Sequence, residues 1–215
     1  MDTTIVLGPR GSAAVTQRLA WSAGEGGMGG FRYGGELFVP RWRLESCRAE
    51  LPDGERVPLA VGDRGDFAVA VLPGGRRFVG VAVFQLSFDC DLAATGQYRA
   101  LETPDGRSVA LIDWSPLAWD QALESRVVRI VLPRRVGGER LDSAELASLS
   151  AVAARLESPG GERASLEWRG EAAPDGGYLL CCLIRETPAP ALSAPRLHLS
   201  IPMAWLEPHP AARWH

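Results

Sequence analysis

Histidine is scarce and lysine absent in this chain, and the groupings whose types and spacing suggest a site fall in three places. Asp89-Cys90-Asp91 puts two carboxylates on one face of a predicted strand, with Asp113 and Asp120 elsewhere. A calcium site or a carboxylate pair for hydrolysis uses such groups, because both need anionic oxygens held close together. The plainer role is a strand end entering solvent, since acids are mostly exposed. Trp114-Ser115-Pro116 followed by Trp119-Asp120 is the densest aromatic segment. Exposed indoles beside Asp113 and Asp120 would stack on sugar rings, whereas buried ones would seal the end of a sandwich, each N–H finding a carbonyl. The third place is the C-terminal stretch, which holds all three histidines, His198, His209 and His215. There Trp205, His209 and Trp214, with Pro208 and Pro210, make an aromatic tail suited to docking on a protein partner.

Absences narrow the chemistry further. All 23 basic side chains are arginine, and neither lysine nor asparagine occurs. A lysine Schiff base, a phosphate-loop lysine, an Asn-linked glycan and a Lys–Asn isopeptide crosslink are therefore excluded. No H-E-x-x-H, C-x-x-C, G-x-G-x-x-G or G-x-S-x-G pattern is present. Carboxylate chemistry remains open, and no cofactor is expected. Arg41, Arg43, Arg48, Arg76, Arg77, Arg134 and Arg135 have acids between them, and the net charge is −3, so nucleic acid is not an expected partner.

The cysteines are Cys47, Cys90, Cys181 and Cys182, at spacings that do not fit a zinc knuckle. Adjacent Cys181 and Cys182 alternate across a strand, so one is expected in the core and one outside. Cys47 and Cys90 belong to separate predicted strands and would form a disulfide if those strands stack. The other reading is buried, unbridged thiols, a common state for cysteine.

The elements that must position these groups are β-strands. Five Pro-Asp-Gly or Pro-Gly-Gly triplets begin at Pro52, Pro73, Pro104, Pro159 and Pro174, each followed by a short apolar run. Proline presets φ for the second turn position and glycine accepts the positive φ that closes the reversal. Strands are predicted over 3–7, 36–39, 42–51 and 126–132, with hairpins joining 67–72 to 78–92 and 98–103 to 108–114. Val15, Gln17, Leu19 and Trp21 share a face of the strand that follows the 8–11 turn. The first half of 78–92 is apolar on both faces, as in a central sandwich strand. Segment 24–35 has seven glycines in twelve residues and reads as a mobile loop. Asp142 as N-cap with Glu145 at N3 predicts a short helix near 142–153, with Leu146, Leu149 and Val152 on one face. Strands over 163–169, 178–185 and 196–206 follow.

The fold class is thus all-β. An antiparallel sandwich spans 1–136, a smaller β-rich extension with one short helix spans 137–206, and 207–215 is a tail.

Segment Gly11-Ser12-Ala13-Ala14-Val15-Thr16-Gln17-Arg18-Leu19 resembles the opening strand of a family of predicted membrane proteins, the domain-of-unknown-function family numbered twenty-two-oh-seven. The tract from Tyr98 through Asp113-Trp114-Ser115-Pro116 and Trp119 to 127–133 is similar to its hairpin, Trp-containing segment and following strand. Ile201-Pro202-Met203-Ala204-Trp205 resembles the strand before that family's membrane anchor. The resemblance implies an extracytoplasmic β-sandwich displayed on a membrane, with no assigned chemistry. No secretory signal precedes Thr3 and no apolar anchor follows Trp214, so peripheral association or a free-standing relative is also expected.

The leading expectation is a non-enzymatic structural or protein-interaction module, the displayed domain or an accessory subunit of a membrane or envelope assembly. The alternative is a carbohydrate-binding or glycan-acting sandwich using Trp114, Trp119 and the nearby acids.

Overall fold

Three of the proline–glycine triplets make the hairpins they predict, and they fix much of the topology. A computed structural model of the chain describes residues 1–33, 40–64, 67–116, 119–158, 164–192 and 194–206. The strand expected at 36–39, the triplet at Pro159, His209, Trp214 and the rest of the 207–215 tail lie outside the described residues. The fold is all-β, sandwich-like, with one short α-helix. Contacts divide it into two compact units, Met1–Thr3 with Ala14–Cys90, and Thr4–Ala13 with Asp91–His215.

Strands β1 (Asp2–Leu7) and β2 (Ser12–Met28) are joined through a 3₁₀ turn at Pro9–Gly11. From Thr4 onward β1 belongs to the second unit; the first takes in most of β2, with β3 (Gly30–Tyr33), β4 (Arg41–Trp42), β5 (Arg48–Glu50), β6 (Arg56–Pro58), β7 (Ala60–Asp63), β8 (Ala68–Val71) and β9 (Phe78–Asp91). One sheet runs β2-β9-β5-β6, with β4 also on β9; a second runs β3-β8-β7. Aromatic contacts bind the two: the Phe31 and Phe84 rings meet edge-on at 5.0 Å and Tyr33 meets Phe88 at 6.0 Å. On β2, Val15, Gln17 and Leu19 are buried and Trp21 half-buried, the face that alternation predicts.

Five expectations change in this unit, the first being the strand predicted over 42–51, which a 3₁₀ turn at Leu44–Ser46 divides into β4 and β5. Pro73–Gly75 forms a 3₁₀ turn, but β8 and β9 do not pair across it; β8 pairs with β3 and β7 instead. The first half of β9 is buried on one face only, because Val79 and Val81 stand in solvent. The glycine-rich segment is ordered strand through Tyr33. Its glycines serve close approach: a Cβ on Gly30 would lie 2.3 Å from the Ala70 carbonyl oxygen. Finally, no disulfide joins Cys47 to Cys90. Their strands are neighbours in one sheet, not stacked. Cys47 precedes the Arg48–Gln85 pair by one residue, and its thiol donates to the Ser87 carbonyl at 3.5 Å. That register places Cys90 about four residues, roughly 13 Å, further along β9, well beyond the ~7 Å limit for bridged α-carbons.

The second unit comprises β10 (Tyr98–Glu102), β11 (Ser108–Trp114), β12 (Arg126–Val136), α1 (Ser143–Ser148), β13 (Ala153–Glu157), β14 (Ala164–Ala172), β15 (Tyr178–Glu186) and β16 (Arg196–Pro202). One sheet contains the run β14-β15-β12-β1 and another runs β10-β11-β16-β13. β12 thus pairs along its length with β15, across the boundary expected at 136. The β10–β11 and β14–β15 hairpins turn on the triplets at Pro104 and Pro174. β15 has partners on both edges and is buried on both faces, so Cys181 and Cys182 are both fully buried rather than split between core and solvent.

The capping box at the start of α1 is formed. The Glu145 backbone N–H donates to the Asp142 carboxylate at 2.8 Å, and the Asp142 N–H to that of Glu145 at 2.8 Å. The helix then lasts six residues and buries none of them; Leu146, expected on its inner face, is 53% exposed. No helix among the described residues is long and apolar enough to cross a membrane.

Candidate functional site

The richest group of titratable side chains lies on the outer face of the β10-β11-β16-β13 sheet, and strand alternation puts it there. On β16, Leu197, Leu199 and Ile201 are buried, leaving Arg196, His198 and Ser200 on the other face. Register aligns His198 with Asp113 of β11 on one side and Arg155 of β13 on the other, and Arg196 with Glu157. Leu111, Arg155, His198 and Ser200 line a shallow cavity of about 440 Å³.

Within it the charges are matched to one another. Arg196 donates from Nε and Nη2 to the two Asp113 oxygens at 2.7 and 2.6 Å. These hydrogen bonds, aided by the charges of Arg196, His198 and Arg99, hold the Asp113 carboxyl below the usual range. His198 Nδ1 lies 3.6 Å from Asp113, and its Nε2 lies 3.5 Å from Glu157. Both ring nitrogens therefore face carboxylates on opposite sides. Such a histidine bridges three strands, and its donors diverge rather than converging on a single cation.

The sequence-derived candidates are dispersed. Asp113 belongs to this outer face, but Trp114, paired in register with Leu197, alternates onto the opposite face. Trp119 is only 6% exposed, and Asp120 is at the surface. The flat pair of exposed indoles that would hold a sugar ring is therefore not formed. Asp89 accepts two hydrogen bonds from Arg43, at 3.0 and 2.6 Å. Asp91 instead caps a turn, accepting from the Ala93 and Ala94 N–H groups at 2.9 and 3.0 Å. Among the described residues, no group of three or more metal-ligating side chains assembles. Trp205, expected to reach a partner, carries the Arg134 guanidinium over its ring at 3.8 Å, a cation–π contact within the chain.

Sequence reasoning placed Asp113 but missed His198 and Arg196 as its neighbours, and Glu157 as the carboxylate on the far side of His198. Their association depends on the register of β11, β16 and β13, which no local pattern encodes. No family model matches the chain, and no curated protein matches it.

Proposed function

We propose that this protein is a non-enzymatic structural or protein-interaction module, acting as the displayed domain or an accessory subunit of a membrane or envelope assembly. The observation that carries this reading is the outer face of β9. That strand pairs with β5 at Val83–Gln85 and with β4 at Phe88–Asp89, and ahead of these pairings it turns Val79 and Val81 to solvent, each 56% exposed. A strand inside an antiparallel sheet ordinarily shows polar side chains on its wet face. Two valines there leave apolar area for another protein to cover, at roughly 1–2 kcal/mol for each side chain buried. The mutual pairing of Asp113, Arg196, His198 and Glu157 supports the same reading, because those groups are engaged with one another. Placement at a membrane or envelope rests on the likeness of segments 11–19, 98–133 and 201–205 to displayed domains of the family named above.

The test is crosslinked capture from the cells that make the protein, using the chain and its Val79→Glu/Val81→Glu variant. The reading predicts a stoichiometric protein partner, crosslinked near β9 and lost in the variant at unchanged melting temperature. Equal capture by both forms, or recovery of glycans alone, overturns it.

A further inference from the structure

The β3-β8-β7 sheet carries on its outer face an open groove of about 900 Å³ with an apolar floor and a basic rim. The floor is Val69 and Val71, alternate residues of the central strand β8, and Val71 is 38% exposed. Their cross-strand neighbours are small except for Arg32. Val71 has Gly30 on one side and Ala60 on the other, while Val69 has Arg32 and Gly62. The glycines of the β2–β3 connection keep that wall low. Here the segment that composition marks as a loop is strand and forms the shoulder of the groove.

Four arginines, Arg32, Arg64, Arg76 and Arg77, stand around this floor, and among the described residues no carboxylate lines it. Their charges are unequally compensated. Arg76 is neutralised by Glu55 through two hydrogen bonds of 2.9 and 2.5 Å. Arg77 donates to the carbonyls of Gly26 and Gly27, at 2.8 and 2.6 Å from Nη2, which fixes the guanidinium without cancelling its charge. Arg32 lies over the Phe67 ring at 5.0 Å, held by a contact that likewise leaves its charge intact. Arg64 forms no ion pair among the described residues. Three positive charges therefore face an apolar strip.

From this charge complementarity we propose that the groove binds an extended acidic peptide segment of a partner protein, its apolar side chains on Val69 and Val71 and its carboxylates on Arg32, Arg64 and Arg77. The proposal rests on the protein-interaction reading and names the chemistry of a partner segment. Arginine suits it, because a planar fork can take a carboxylate with two parallel hydrogen bonds. A polyanion such as nucleic acid fits less well. Its affinity needs many phosphate contacts, whereas this chain has a net charge of −3 and the groove's centre is apolar.

Fluorescence anisotropy with the full chain tests this. The probe is a labelled peptide of alternating Glu and Val, compared with a Lys/Val peptide, an all-Glu peptide and a single-stranded oligonucleotide. Binding is expected for the Glu/Val peptide alone, weaker at high salt. It should weaken about tenfold or more in Arg32→Gln/Arg64→Gln, two exposed positions, at unchanged melting temperature. Equal binding of the Lys/Val peptide, indifference to the double variant, preference for the oligonucleotide or all-Glu peptide, or no binding overturns the groove assignment. If partner capture still depends on Val79 and Val81 in that case, the interaction reading stands and only the groove is removed; loss of both refutes both.

Discussion

Arg126 and Glu186 are sealed together in the second unit: Nη1 of the arginine donates to Oε2 of the glutamate at 2.9 Å, with the side chains 1% and 0% exposed. They face each other in register at the ends of β12 and β15. Along the same face the register continues with Val128–Ile184 and Ile130–Cys182, both apolar. An ion pair in such a place is costly to desolvate and more costly to break.

Breaking it should therefore dominate any stability survey. Arg126→Met is expected to lose about 3–5 kcal/mol by stranding the Glu186 carboxylate in the core. Arg126→Met/Glu186→Leu should recover most of that loss. Urea unfolding of the three proteins decides the matter, and a double variant as unstable as the single one would refute the argument.

Gly30 tests whether the glycine-rich segment is structural. Its missing Cβ would sit 2.3 Å from the Ala70 carbonyl oxygen and 2.7 Å from Val71. Both belong to the paired strand, which has little room to retreat. Gly30→Ala should cost about 1–3 kcal/mol, the usual penalty for overpacking. Gly24→Ala, where nothing lies within 4 Å, serves as the control and should be near neutral. Thermal unfolding compares them.

The cysteines should sort by burial. Desolvation pushes the Cys181 thiol up to about 12 and raises those of Cys182 and Cys47 as well, so all three remain protonated and inaccessible near neutral pH. Native iodoacetamide labelling at pH 8 should modify Cys90 first and leave the others until denaturation. Peptide mapping reads this directly. A Cys47–Cys90 bridge recovered from oxidised native protein would contradict the register.

The Asp113 carboxyl is depressed chiefly by the Arg196 hydrogen bonds. A folded-state pKa below the unfolded one stabilises above the unfolded value, near 4 for aspartate, and that stabilisation is lost as pH falls through the folded value. Asp113→Asn should therefore lower the melting temperature at pH 7, where that stabilisation is present, and flatten the acid limb of the profile. An identical acid limb in both proteins would show that the pair contributes nothing.

What was legible in the sequence was local. The triplets at Pro52, Pro104 and Pro174 close hairpins because the strands they join are also the strands that pair, and the Asp142–Glu145 box starts its helix where the residues say. Pro73 makes the same kind of turn, yet its flanking strands enter different sheets, a choice set by distant partners. β13 was missed because Ala153-Ala154-Arg155 lacks β-branched residues and is recruited by β16. The glycine segment was misread because entropy argues against order only when close packing does not demand glycine. Asp113 was visible as a candidate, but His198 and Arg196 meet it through a register spanning more than eighty residues of sequence, and Glu157 joins them only through the pairing of β13 with β16.

Hydrogen–deuterium exchange of the chain, free and bound to its captured partner, tests whether β9 presents an interaction face. Slower exchange is expected, centred on residues 78–83 and abolished by Val79→Glu/Val81→Glu. Protection confined to other strands, with 78–83 unchanged, would contradict it.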